Sequence, residues 1–319
     1  RAPCKSGCPF GQDVPEYIEL CGKGLFIEAL QVITAKNPLP FITGTICAHH
    51  CMDKCMRNHY ECPVNIRGTK LQAAEGAFEE LLAITEMSRE GEKVAIIGGG
   101  PAGLAAAYHA QKHGLQATVF EKRETLGGIV RNVIPGFRID DDAIDNDVAL
   151  IKKTGAEFVM GKEAPDVKEL KAMGFDYIVL ACGAEKKGRL NIEGSVMNVI
   201  DFLYAFKNGG ELKLGRNVAV VGGGNTAMDA ARAAKRAEGV EKVTLVYRRN
   251  RRYMPADLEE LELFYEDKDW MVDRIVNLRT DLGLIADMRP YAAVNFIRRG
   301  VGYDDYIQEY AEYRGIRAG

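Results

Sequence analysis

Twice in this chain of 319 residues, a run of aliphatic residues leads into three glycines and then an alanine-rich segment. Val94-Ala95-Ile96-Ile97 precedes Gly98-Gly99-Gly100-Pro101-Ala102-Gly103, and Val218 to Val221 precede Gly222-Gly223-Gly224-Asn225-Thr226-Ala227. A short apolar run stopped by glycine reads as a buried strand, and the alanine-rich stretch after it as a packed helix. Further strands are expected at 117–120, 177–181 and 243–247. Strands alternating with helices predict a doubly wound α/β architecture with parallel sheets.

The first turn has the spacing G-x-G-x-x-G. Gly98 permits the tight turn, Gly100 lets backbone approach a pyrophosphate, and Gly103 lets the helix pack on the strand. Pro101 and Ala102 open the helix, whose N-terminus favours anions. Glu121 and Lys122 close the next strand, where an acid can accept from ribose hydroxyls. The alternative is a glycine-rich turn with no ligand. In the second turn Ala227 fills the third glycine slot, and Gly222, Gly224, Asn225 and Thr226 form the candidate phosphate cradle. Its following strand ends in Tyr247-Arg248-Arg249 rather than an acid. An arginine there can hold the 2′-phosphate of NADP. With Arg251 and Arg252 nearby, a solvated basic loop is the competing reading.

Seven of the eight cysteines fall before residue 63. Cys4-x3-Cys8-Pro9, Cys47-x3-Cys51-x3-Cys55 and Cys62-Pro63 are the metal-ligand candidates. No secretory signal is seen, and the expected setting is a reducing cytoplasm, which favours metal over disulfides. Thiolates this close suit iron–sulfur clusters. Zinc competes, with His49, His50 and His59 adjacent. Cys21 reads as a core thiol and Cys182 as structural. The chain is 47% hydrophobic with a formal net charge of −3, which excludes wholesale disorder and gives no basic signature for nucleic acid. No apolar stretch is long enough for a membrane span.

Residues 1–90 are expected to be helical with cysteine-bearing loops. Two short helices over 14–36 break near Gly22 and Gly24, 41–65 reads as loop, and a helix covers 66–87. Pro290 suits the first turn of a helix to about residue 299. Tyr303, Tyr306, Ile307 and Tyr310 form a stripe at helical spacing.

Taken in order, these motifs resemble the small (β) subunit of NADPH-dependent glutamate synthase and the N-terminal half of dihydropyrimidine dehydrogenase. Leu126-Gly127-Gly128, Ile134-Pro135-Gly136-Phe137-Arg138, Ala181-Cys182-Gly183-Ala184 and Met254-Pro255-Ala256 extend the likeness to about residue 265. The resemblance implies an α-helical iron–sulfur domain (1–90), an FAD-binding Rossmann-like domain (91–212), an NADPH-binding one (213–268) and a helical tail (269–319). It implies FAD at Gly98 to Gly103 with Glu121, the Gly128 and Ile134 to Arg138 segments lying along the flavin. NADPH is implied at Gly222 to Ala227 with Arg248 and Arg249. Hydride would pass to FAD, and single electrons through [4Fe–4S] clusters to a large or catalytic partner subunit, with no general acid or base. One cluster is implied on Cys8, Cys47, Cys51 and a fourth ligand that is either Cys62 or a non-cysteine group, and Cys4 and Cys55 belong to a second that lacks two ligands. The family completes its flavin domain with a Gly-Asp segment; this sequence has no Gly-Asp pair, so the flavin domain is expected to be incomplete. The competing expectation is a truncated or fused fragment serving as a metal-containing binding module.

Overall fold

The structure is a computed structural model that describes residues 2–87, 90–184, 196–248, 253–256 and 288–296. The chain divides into two compact units, Arg1–Leu212 and Lys213–Gly319.

The first unit opens with six helices: α1 (Pro3–Gly7), α2 (Val14–Gly22), α3 (Phe26–Thr34), α4 (Pro40–Ile46), α5 (His50–Asp53) and α6 (Ile66–Ile84). Proline stands in the first turn of α1, α2 and α4, where its missing N–H costs nothing. Asn65 caps α6 by accepting from Gly68 N at 3.0 Å. The stretch 41–65, expected as loop, instead contains most of α4, all of α5 and a 3-10 turn at Met56–His59. The reason is tertiary. Asp147, more than a hundred residues along the chain, accepts from Phe41 N at 3.1 Å and Ile42 N at 2.8 Å. Those are orphan donors of a helix N-terminus, and no local side chain caps them.

The α/β half follows with β1 (Lys93–Ile97), α7 (Pro101–Lys112), β2 (Gln116–Glu121), α8 (Gly128–Asn132), α9 (Asp141–Lys153), β3 (Glu157–Met160), α10 (Val167–Ala172), β4 (Tyr177–Leu180) and α11 (Val199–Lys207). The sheet is parallel with order β3-β2-β1-β4. One hydrophobic core joins the helices to this sheet. Leu30, Phe41, Ile42, Phe78 and Leu81 pack in it with Val94, Ile96, Leu104, Ile144 and Ile151. Phe41 meets Phe78 edge-to-face at 5.0 Å. Helix α4, which leads to Cys47, and the strands that flank the first glycine turn thus share a packed interior that transmits displacement.

In the second unit, β5 (Asn217–Val221) and β6 (Lys242–Val246) pair in parallel, connected by α12 (Asn225–Arg236). Alanine lets α12 pack closely: Ala230, Ala231, Ala233 and Ala234 are all buried. A short helix covers Pro290–Asn295. The expected stripe from Tyr303 to Tyr310 lies outside the described residues. Among the described residues no helix is long and apolar enough to cross a membrane.

Burial pushes the Asp147 carboxyl up to about 8, against the Phe41 and Ile42 amides and Lys70, which pull it down. Its folded value lies above the ordinary value of 3.8, so the folded state binds the extra proton across that window. Stability relative to Asp147→Asn is therefore expected to rise as pH falls from about 8 to about 4. Asp147→Ala, which strands two buried amides, is expected to cost about 2–4 kcal/mol. Urea melts of the three proteins across that pH range check both.

Candidate functional site

At the first turn, Gly98 N donates to Phe120 O at 2.8 Å, continuing the β1–β2 ladder into the loop. Gly98 has φ +112°, and a Cβ there would lie 2.4 Å from Ala181 O. A Cβ on Gly103 would lie 1.8 Å from Gly98 O. The protein's own backbone therefore demands glycine at both positions. Gly100 differs: its φ is −79°, and a Cβ would meet nothing nearer than 3.7 Å. Packing does not require glycine there, whereas backbone approach by a pyrophosphate does. Gly100 is also the N-cap of α7 without a side-chain cap bond, so the first N–H groups of α7 are left for an anion.

Glu121 is 5% exposed. Its Oε2 accepts from Gly99 N at 2.7 Å and its Oε1 from Arg123 N at 2.9 Å. A carboxylate retains further lone pairs for ribose hydroxyls. Lys122 is exposed beside it, as is Ala102. A second glycine turn lies across the first: Gly127 N donates to Gly99 O at 2.8 Å, and a Cβ on Gly128 would lie 2.8 Å from Gly100 Cα. Ile134 is half-buried against the shared core. Arg138 lines a cleft of about 410 Å³ with Phe41, Leu71 and Glu75.

The second turn repeats this geometry. Gly222 N donates to Val246 O at 2.9 Å. Gly224 has φ −99° and caps α12 with no side-chain bond, and a Cβ on it would meet only Pro255 Cγ at 3.8 Å. Gly224, like Gly100, is thus unforced by the protein's packing. Asn225 and Thr226 open α12. Val221 pairs with Val246 as Ile97 pairs with Phe120, so Tyr247 occupies the register position of Glu121, and Arg248 that of Lys122. The Tyr247 ring fills the space beside Gly223, 2.7 Å from where a Cβ would stand. Its hydroxyl donates to Tyr253 O at 2.8 Å, and Ala256 N donates to Gly223 O at 3.0 Å. Both ends of the arginine-bearing segment are therefore tied to the turn. Arg248 is exposed; Arg249 lies outside the described residues.

The cysteines divide into two sets. Cys4 sits in α1, Cys8 follows it, Cys47 ends α4 and Cys51 lies in α5. Cys4 and Cys51 pack into a small core with Val14, Tyr17, Ile66 and Ala73. Burial drives the Tyr17 phenol up, and Cys51, Cys8, Cys4 and Cys47 all add to it, so these four thiols lie within electrostatic reach of the Tyr17 hydroxyl. Cys51 is pushed up to about 11, mainly by burial, with Cys47 and Cys8 adding. Helix α1 meets α5 closely at Gly7, where a Cβ would lie 2.9 Å from His50 O. Cys55 starts the 3-10 turn and Cys62 is exposed. Neither is among the thiols acting on Tyr17 or Cys51. Cys21 is half-buried, its Sγ donating to Thr69 O at 3.9 Å, and Cys182 is exposed.

Among the described residues no three His, Cys, Asp or Glu groups close on one point as donors to a single ion. A four-iron cluster does not require that, since each thiolate binds its own iron. His50 Nδ1 lies 3.5 Å from Asp53. His49, the residue with the only positive non-glycine φ (37°) among the described residues, buries both ring nitrogens without a hydrogen bond. Tyr17, Gly7 and Lys70 were not evident as site residues from spacing. For Lys70 the signal was legible: it sits on the apolar stripe Ile66, Ala73, Ala74, Ala77.

Two family profiles match the chain. One, described as pyridine nucleotide-disulphide oxidoreductase, covers residues 92–268; the other, described as dihydropyrimidine dehydrogenase domain II with a 4Fe-4S cluster, covers residues 1–81. The chain is 43% identical over 269 residues to YgfK of Escherichia coli (strain K12), covering 82% of this chain and 26% of that protein. It is 36% identical over 276 residues to the NADPH-Fe(3+) oxidoreductase subunit beta of Geobacter sulfurreducens (strain DL-1 / KN400), covering 82% and 41%. It is 30% identical over 248 residues to the glutamate synthase [NADPH] small chain of Mycobacterium tuberculosis (strain ATCC 25618 / H37Rv), covering 71% and 51%. The chain thus spans between a quarter and half of these relatives. FAD, a pyridine nucleotide and a [4Fe–4S] cluster are the groups that the two profiles imply.

Gly103→Ala and Gly98→Ala are expected to destabilise the first unit by about 1–3 kcal/mol or more through backbone overlap. Gly100→Ala should leave the denaturation midpoint near wild type and lower bound flavin. Gly22→Ala, with open space around it at the end of α2, is the neutral control. Denaturant midpoints and flavin content on the same preparations separate the three classes.

Proposed function

This chain belongs to the pyridine nucleotide-disulphide oxidoreductase family, and on that premise we propose that it is the electron-input part of an NADPH-dependent iron–sulfur flavoprotein. FAD binds at Gly98, Gly100, Pro101, Ala102 and Gly103, with Glu121 accepting from the ribose and Lys122 at the site's edge. Gly128, Ile134 and Arg138 complete its wall. NADPH binds at Gly222, Gly224, Asn225 and Thr226, with Arg248 and Arg249 holding the 2′-phosphate. Cys4, Cys8, Cys47 and Cys51 hold a [4Fe–4S] cluster; Cys55 and Cys62 lie apart from that set.

One observation carries the proposal. Helix α4, which ends at Cys47, packs in one core with the strands β1 and β2 that flank the flavin-type turn, so that helix is held relative to the turn by close packing. When bound, the flavin would supply the conversion of one hydride, carrying two electrons, into single electrons for iron. The chain's own residues supply position and selectivity. Glu121 holds its turn in shape and excludes a phosphate by charge. Tyr247 stands where that acid would be, removing the repulsion, and Arg248 supplies the attraction. Buried thiols such as Cys51 stay protonated until iron arrives, and assembly releases their protons.

The relatives include a beta subunit and a small chain, which supports delivery of electrons to a partner subunit. The acceptor chemistry belongs to that partner.

Anaerobic protein assayed for iron, sulfide and flavin tests the reading. Iron and labile sulfide in equal amounts near four per chain, flavin near one, and faster bleaching by NADPH than by NADH are expected. Zinc without sulfide would overturn it. Arg248→Ala is expected to lower the NADPH-over-NADH preference in kcat/KM at least tenfold, chiefly through KM for NADPH.

A further inference from the structure

Lys70 is the one charged residue on the buried face of α6. It is 5% exposed. Lysine is almost never buried so fully without a partner, because desolvating an ammonium is costly. Yet among the described residues its ammonium makes no hydrogen bond or ion pair. Asp147 acts on it electrostatically, as do Cys47, Cys51 and Cys8, but Asp147 spends both oxygens on Phe41 N and Ile42 N.

Position along the helix says what Lys70 faces. Residues 66, 70 and 73 follow one another along a single helical face. Ile66 and Ala73 both pack into the small core that holds Cys4, Cys51 and Tyr17. Lys70 therefore stands between two residues of the core against which Cys4 and Cys51 pack. Near it, Arg67 Nη1 donates to Cys47 O at 3.3 Å, and Thr69 O accepts from Cys21 Sγ at 3.9 Å. The first two turns of α6 form one wall of the cysteine site.

We propose that Lys70 is a positioning residue for the cluster, a buried cation that compensates the negative charge gathered on Cys8, Cys47 and Cys51 when iron is bound. The inference rests on the cluster assignment above. A four-thiolate cluster carries net negative charge, and that charge grows by one when an electron enters. Net charge and surroundings set its potential. A buried cation beside the cluster stabilises the reduced form more than the oxidised one and raises the midpoint potential. The step moves one electron, from reduced flavin to iron, with no proton at Lys70. In the metal-free chain the same cation is uncompensated, so the site costs stability until the cluster forms.

The test is a redox titration of the purified chain followed by the EPR signal of the reduced cluster. Lys70→Met keeps the length and apolar stem and removes the charge. Its reduction equilibrium is expected to shift at least about tenfold toward the oxidised form, which is 59 mV for one electron. Lys70→Arg is expected to stay near wild type. Unfolding melts of the metal-free proteins should show Lys70→Met more stable than wild type, a readout independent of turnover. Unchanged potential in Lys70→Met overturns the proposal. If Lys70→Met loses the cluster while Lys70→Arg retains it at near-native potential, the need for a cation is supported. If both variants lose it, the role is shape rather than charge and the proposal fails. A wild-type chain that takes up no iron and sulfide would contradict the cluster assignment itself, a separate result.

Discussion

A buried carboxyl group that accepts from two backbone amides ties the molecule's first unit together. Asp147 lies on α9 of the α/β half, and its partners Phe41 and Ile42 open α4, which ends at Cys47. The contact fixes where α4 begins and hence where its terminal cysteine lies. It is completely buried, so the amides have no water to fall back on. Around it, Phe41 and Ile42 bury their side chains among residues from α9, α6 and β1. A helix-capping interaction, usually local, here joins a cysteine-bearing segment to a nucleotide-binding sheet.

The two glycine turns show how one backbone design is given two selectivities. Both turns donate from the first glycine to the neighbouring strand, and both leave the third glycine of the run sterically unforced. At the end of the following strand they differ in charge, Glu121 against Tyr247, and in the cation that follows, Lys122 against Arg248. An acid there accepts from ribose hydroxyls and repels phosphate. An aromatic ring there is neutral, and its hydroxyl bond to Tyr253 tethers the segment that carries the arginines. On the proposed assignment, selectivity rests on one side chain's charge and its neighbour's reach, on a largely repeated scaffold.

Much of this was legible in the sequence because strands and glycine turns are local signals. β1, β2, β4, β5 and β6 lie where apolar runs predicted them, and the breaks at Gly22 and Gly24 separate α2 from α3. What was missed is what long-range contacts decide. Helix α4 has no local cap and no clear periodicity, and Asp147 supplies its missing acceptor. Strand β3 is four residues at the sheet edge, too short to alternate visibly. The cysteines announced metal chemistry, but spacing did not say which of them meet. Cys4 joins Cys8, Cys47 and Cys51 around Tyr17, while Cys62 is exposed. Lys70 had a sequence signal, a charge on an apolar stripe, whose meaning depends on which cysteines α6 faces.

Helix α4 links the Cys47 end of the thiol group to the core around the flavin-type turn, and the two are proposed to work as one electron path fed by NADPH. Rapid freeze-quench EPR on anaerobic protein mixed with one equivalent of NADPH tests it directly. The account predicts a reduced-cluster signal that grows as the flavin absorbance recovers from its initial bleaching, and grows far more slowly with NADH. Flavin that bleaches and stays bleached while the cluster remains oxidised would contradict it.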